Sequence, residues 1–183
     1  MKMNKIISYA LDFLCANFDD DVEEDIGITH KGLEQFVEKY KERPVLTVDA
    51  IVVKDEKFLL IKRKNPPYGW ALPGGLVDKG ETVETAVVRE LKEETCLEAG
   101  DIKFYKIVSD PNRDPRFHAI SAVYIITDVT GTAVAADDAK EVGWFSYDEI
   151  MAMDIAFDHK DIISNYFQTY SSISESFITQ EWK

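Results

Sequence analysis

Cysteine is scarce in this chain. Two residues, Cys15 and Cys96, stand far apart with neither a CxxC pair nor a Cys/His spacing, so neither a disulfide framework nor a zinc centre is encoded. Two idle thiols suit a reducing compartment, and the expected location is cytoplasmic. Long apolar runs are missing as well: nothing approaches the roughly 18 consecutive apolar residues of a membrane span. The nearest stretch, Ile6 to Phe18 behind Lys2 and Lys5, is interrupted by Asp12 and followed by acidic residues. It therefore reads as an amphipathic helix instead of a signal peptide. Positive charge is the third deficit, with 21 Lys and Arg against 34 Asp and Glu, a formal net charge of −13. A field of that sign repels phosphate backbones and excludes sequence-independent nucleic-acid binding.

What is present supports a folded core. Hydrophobic residues make up 45% of the chain and aromatics 11%, at a size where folding hides about 70% of the unfolded surface. The length of 183 residues accommodates one domain and a small appendage. Composition shifts near Pro44, dividing an N-terminal helical extension, residues 1–43, from a main domain, residues 44–183. In the extension Ile6, Ile7, Ala10, Leu11, Phe13, Leu14 and Phe18 recur at helical spacing, an acidic run fills Asp19 to Asp25, and a second helix is predicted around Lys31 to Lys41. Its apolar stripe either makes a homodimer or partner contact or covers the domain's own core.

Beyond Pro44 the pattern is that of strands. VLTVDAIVV and KFLLIKRK, on either side of Lys54, Asp55 and Glu56, predict a hairpin. The Pro- and Gly-dense NPPYGWALPGG, Asn65 to Gly75, predicts irregular backbone. Val83, Ala86, Val87 and Leu91 then recur at helical intervals from Thr82 to Thr95, with Thr82 placed to cap the helix. Strands are predicted at IKFYKIV, AISAVYIITDV and EVGWFSY, separated by the turn-rich SDPNRDPRFH and by AADDAK. Helices follow from about Asp148 through AFDHKDIISNYFQTY, ending in a polar tail. Interleaved strands and helices with alternating polarity predict an α/β (α+β) domain, a mixed β-sheet sandwiched between helices.

The chemistry is concentrated on the helix from Thr82 to Thr95. With Glu90 at zero, Glu94 falls at about 40° and Glu93 at about 300°, so three carboxylates share one face. Their mutual repulsion calls for an offsetting charge, and a divalent cation supplies it. Hard cations such as Mg2+ and Mn2+ take oxygen ligands from a few carboxylates while substrate phosphates complete the shell.

Residues 75–97 read GLVDKGETVETAVVRELKEETCL. Gly75, Glu81, Arg89, Glu90, Leu91, Glu93 and Glu94 stand at the spacing of the Nudix box, and this segment resembles the signature of the Nudix hydrolases. That resemblance implies the Nudix fold and cleavage of nucleoside diphosphates linked to another moiety. It also implies metal binding by Glu90, Glu93, Glu94 and the carbonyl of Gly74, with Mg2+ or Mn2+ as cofactor. Glu81 and Arg89 match a pair that braces the loop against the helix. One position departs: Cys96 stands where the family has glycine, just past the helix, where a left-handed residue often ends it. A non-glycine residue there costs roughly 1–2 kcal/mol if φ is positive.

The box alone gives a reaction type. RDPR, Arg113 to Arg116, with DDAKEVGWF and AFDHKDI further on, resembles the ADP-ribose pyrophosphatase branch of the family. The implied reaction is metal-dependent hydrolysis of ADP-ribose to AMP and ribose 5-phosphate. Arg63, Arg113 and Arg116 are the candidate cations for phosphate or ribose, and Tyr68 is a candidate stacking surface, with Trp70 and Phe117 also flanking the presumed cleft. Glu90, Glu94 and Glu141 are the candidate catalytic carboxylates, Asp137 and Asp138 being further choices for the general base. His118 and His159 are expected to be structural. The partner expected is a small nucleotide, with neither nucleic acid nor membrane. Two alternatives remain: another substrate of the family (NADH, a nucleotide sugar, a dinucleoside polyphosphate or an oxidised nucleoside triphosphate), or a sensor that binds ADP-ribose without cleaving it.

Overall fold

The computed structural model describes residues 43–178. The predicted N-terminal helices lie outside the described residues, and so does the contact surface proposed for them. The elements in chain order are β1 (Val45–Lys54), β2 (Lys57–Arg63), β3 (Trp70–Ala71), β4 (Gly74–Leu76), α1 (Val83–Thr95), β5 (Ile102–Val108), β6 (Ala119–Ile126), β7 (Ala139–Phe145), α2 (Tyr147–Ala152) and α3 (His159–Ile178).

All seven strands join one mixed sheet. Its main path runs β3-β2-β1-β6-β5, with β4 paired to β1 and β7 to β2. β1 and β6 are parallel, from Val45 opposite Ala119 to Val52 opposite Ile126, and the other pairings are antiparallel. Alternation along β1 and β6 splits the core in two. Val48, Ala50, Val52, Ala122, Tyr124 and Ile126 pack with Ala86, Val87 and Leu91 of α1. Ile51 and Val123 face the other way, with Ile150 of α2 and Ile162 and Ile163 of α3. The sheet is therefore covered by helices on both faces, as the alternation predicts.

The β1–β2 hairpin turns where expected, with Asp55 and Glu56 both at positive φ. Thr82 caps α1 by accepting the N–H of Thr85 at 3.2 Å. Cys96 takes the left-handed conformation at φ 59°, and its N–H closes on the Lys92 carbonyl at 2.9 Å.

One segment differs from its expected form. NPPYGWALPGG is not irregular throughout, because β3 and β4 form within it. Both are held short by their surroundings: Pro73 sits between them without an N–H to donate, while its carbonyl accepts from Ala50 at 2.8 Å. At the other end α3 continues through SSISESFI of the polar tail to Ile178, a run free of Pro and Gly that nothing local interrupts.

Candidate active site

Helix α1 and the Pro73–Leu76 segment meet through β1. Register places Asp49 of β1 opposite Gly74 and Val48 opposite Gly75, bringing β4 beside the glutamate face of α1. Gly74 donates its N–H to Glu94 Oε2 at 2.9 Å. A Cβ on Gly74 would collide with the Val48 carbonyl, and one on Gly75 with the Glu90 carboxylate. Glycine is needed at both positions because the backbone passes within contact distance of what lies beneath it.

Arg89 ties this arrangement together. Its guanidinium donates to Glu81 at 2.7 and 3.2 Å, to the Leu76 carbonyl at 2.9 Å, and to Glu90 and Glu93 at 2.9 Å each. One side chain thus fastens the loop after β4 to the helix and partly neutralises two of the three glutamates. The hydrogen bonds to Glu81 foremost push the Arg89 pKa up, and Glu81 is lowered in return. This is the bracing role that the resemblance implies for the pair.

Glu94 is 4% exposed. Burial pushes its carboxyl up to about 8, against the Gly74 hydrogen bond that pulls the other way, and the nearby Glu90 adds to the rise. Glu90 is raised too, chiefly by burial. In this state Glu93 turns to Arg89 and Glu94 to the Gly74 N–H, and among the described residues no three acidic, histidine or cysteine side chains converge on one point. The donor chemistry nevertheless fits a hard divalent cation: carboxylate oxygens on one helix face, two of them disfavoured as anions by burial, beside glycine backbone that packs directly against the Glu90 carboxylate.

On the far side of Gly74 and Gly75 a polar cleft is lined by Thr47, Asp49, Arg63, Arg116, Phe157 and His159, among others. Arg63 donates Nε to the Pro67 carbonyl at 2.8 Å and lies over the Phe157 ring at 4.8 Å. Arg116 reaches the same ring at 5.3 Å and is held in plane by Asp114, at 2.7 Å for the closest contact. Two guanidiniums thus share one aromatic ring. Burial and then the charge of Arg116 lower the Arg63 pKa, so an anion entering here relieves repulsion already present.

Arg113 is placed differently from Arg116. Its side chain is 5% exposed, with Nη2 at 3.0 Å from Asp49 Oδ2 and 2.7 Å from Asp158 Oδ1 and Nε at 2.9 Å from Asp158 Oδ2; it lines the cleft, and through these two nitrogens it serves as a counter-charge to two acids. Tyr68 is 67% exposed. Glu141 lies on β7 opposite Lys62 of β2 and pairs with its ammonium at 2.9 Å. Asp137 and Asp138, from the preceding loop, are the acids whose charges reach Glu90 and Glu94. Sequence reasoning misses Phe157, Asp158 and their strained turn; the signal available was the AFDHKDI run itself, noted only for its resemblance.

The family model described as NUDIX domain matches residues 43–166. The ADP-ribose pyrophosphatase of Methanocaldococcus jannaschii is 49% identical over 127 residues, covering 68% of this chain and 74% of that protein. Among solved structures, the NUDIX domain of Shewanella oneidensis NrtR complexed with ADP ribose superposes with a TM-score of 0.65 at 26% identity, covering 86% of this chain and 97% of that one. A bifunctional NMN adenylyltransferase/ADP ribose pyrophosphatase from Francisella tularensis, complexed with AMP and a Mn ion, gives a TM-score of 0.62 at 28% identity over 87% of this chain and 53% of that one.

Proposed function

The chain belongs to the Nudix hydrolase family, and from that premise we propose that it hydrolyses the pyrophosphate bond of ADP-ribose, giving AMP and ribose 5-phosphate with Mg2+ or Mn2+ as cofactor. The observation that carries this reading is the continuity of two features across Gly74 and Gly75: a carboxylate face on α1 on one side and the Arg63–Phe157–Arg116 cleft on the other.

Each residue has a distinct task. Glu90, Glu93, Glu94 and the Gly74 carbonyl would hold the divalent ions. When bound, these supply charge neutralisation for the diphosphate and a lowered pKa for water. Arg63 and Arg116 meet the negative charge of the substrate, their planar forks kept in place by Phe157, Asp114 and the Pro67 carbonyl. Arg89 keeps the Gly75–Leu76 backbone fixed against α1, so the two halves of the site hold their separation. The attacking water needs a proton acceptor. Glu90 Oε1 is taken by Arg89, leaving Oε2 for that task, and Asp137 or Asp138 is near enough in charge to share it.

The test is product analysis over ADP-ribose, NADH, a nucleotide sugar, a dinucleoside polyphosphate and an oxidised nucleoside triphosphate with Mg2+, repeated with Glu94→Gln. ADP-ribose should be the best substrate, and the variant should lose about 100-fold or more in turnover while remaining folded. A better substrate elsewhere in the panel would overturn the substrate assignment. Binding of ADP-ribose without turnover would make the protein a sensor, and near-normal activity of the variant would remove Glu94 from the metal site.

A further inference from the structure

Between α2 and α3 the chain makes a single strained turn. Asp154 and Ala156 pair with Trp70 through backbone hydrogen bonds of 3.2 and 2.8 Å, and Phe157 then adopts φ 61°, a left-handed conformation costly for an aromatic residue. The turn delivers three consecutive side chains in three directions. Phe157 lies under Arg63 and Arg116, Asp158 grips Arg113 through two hydrogen bonds of 2.7 and 2.9 Å, and His159 enters the interior at 3% exposure.

There His159 Nδ1 accepts the backbone N–H of Leu72 at 2.9 Å. Its Nε2 lies 3.3 Å from Asp49 Oδ1, and Asp49 Oδ2 is held by Arg113. Leu72 is two residues before Gly74, whose strand partner is Asp49. The Leu72–Gly74 backbone therefore has three anchors: the Leu72 N–H on His159, the Pro73 carbonyl on Ala50, and the Gly74 N–H on Glu94. Only the first comes from α3.

We propose that His159 is a positioning residue for hydrolysis: as the neutral tautomer protonated at Nε2, oriented by Asp49 and behind it Arg113, it fixes the Leu72–Gly74 backbone on which the metal-facing glycine depends. The geometry dictates the tautomer, because a proton on Nδ1 would point at the Leu72 N–H. Although His159 lines the cleft, its side chain is buried and both nitrogens are engaged by Leu72 and Asp49, so it acts on the reaction by orientation, as groups behind a metal ligand do. Because this deepens the hydrolase reading and rests on it, the experiment separates the two.

The tautomer is read directly from long-range proton–nitrogen NMR of the wild-type imidazoles, and with only three histidines in the chain the His159 signal is assigned by its loss in His159→Asn. A neutral ring protonated at Nε2 at pH 7 is expected; a proton on Nδ1, or an imidazolium, overturns the proposal whether or not any variant folds. The second measurement compares His159→Asn, whose side-chain oxygen keeps an acceptor for Leu72, with His159→Phe, which does not. For the Phe variant kcat and Mn2+ affinity should each fall about 10- to 100-fold, with KM for ADP-ribose within about twofold of wild type. The Asn variant should recover most of both. Equal losses in a folded Asn variant, or undiminished kcat and Mn2+ affinity in the Phe variant, would overturn it. If the wild type binds Mn2+ but leaves ADP-ribose intact, the substrate reading fails, while the tautomer and the Mn2+ affinities still decide the role of His159.

Discussion

Arg113 Nη2 lies 3.0 Å from Asp49 Oδ2, both side chains less than a tenth exposed, and this contact separates two arginines that look equivalent in sequence. Arg113 and Arg116 stand three residues apart in one loop, yet one is locked into a buried charge network and the other lines the cleft on an aromatic face. Removing them should have different consequences. Arg113→Ala leaves Asp49 and Asp158 without their cation and should destabilise the fold by about 3–5 kcal/mol. Arg116→Ala also leaves the buried Asp114 without its guanidinium and should cost stability, but its distinguishing effect should be a KM for ADP-ribose raised about tenfold, the worth of a lost charge-assisted hydrogen bond. Thermal denaturation and steady-state kinetics on the two variants check both halves; the reverse pattern would show that the substrate reaches Arg113.

Asp49 gives a pH dependence. Burial alone would raise its pKa, but the hydrogen bond from His159 Nε2–H and the charge of Arg113 act against burial, and the carboxyl lies well below the usual carboxylate range. A carboxyl depressed on folding stabilises fully above its unfolded value near 4 and loses that contribution as the pH falls below it. Asp49→Asn should therefore be less stable than wild type at pH 7, with the gap narrowing below about pH 4. Urea denaturation of both proteins across that range measures it, and a gap constant with pH would contradict the assignment.

Arg89 makes use of the full guanidinium fork, spanning Glu81, Glu90, Glu93 and the Leu76 carbonyl. Lysine keeps the charge but not the planar set of donors. Arg89→Lys should lose about tenfold or more in kcat/KM despite its unchanged charge. Activity close to wild type would mean that charge alone holds the loop.

Cys96 ends α1 at φ 59°. Cys96→Gly should stabilise the protein by about 1 kcal/mol, since glycine adopts that conformation without a Cβ penalty. Activity should be unaffected because the thiol is exposed and free. Equilibrium unfolding gives the sign directly.

Much of the local structure was legible because it is governed by near neighbours. Periodicity located β1, β2, β5, β6 and β7, Thr82 marked the start of α1, and the 100° arc placed Glu90, Glu93 and Glu94 on one helix face. The box spacing likewise paired Glu81 with Arg89. β3 and β4 were not legible, since strands of two and three residues are created by the neighbours they pair with and carry no pattern of their own.

What the sequence determined by itself is the inventory: three carboxylates on one helix face, glycines before the helix, two arginines in a later loop, and an acidic net charge. Only the tertiary structure decided how each is used. Register on β1 sets Asp49 beneath Gly74, and the left-handed turn at Phe157 sends His159 inward to the Leu72 N–H. Asp49 and Arg113, 64 residues apart, meet because β1 and the loop before β6 close over the start of α3. The physical reason is that a side chain's chemistry is fixed by its type, whereas its pKa, its partners and its access to substrate depend on burial and on charges brought close from distant parts of the chain. The same arginine is a ligand or a strut according to which carboxylates the fold sets beside it.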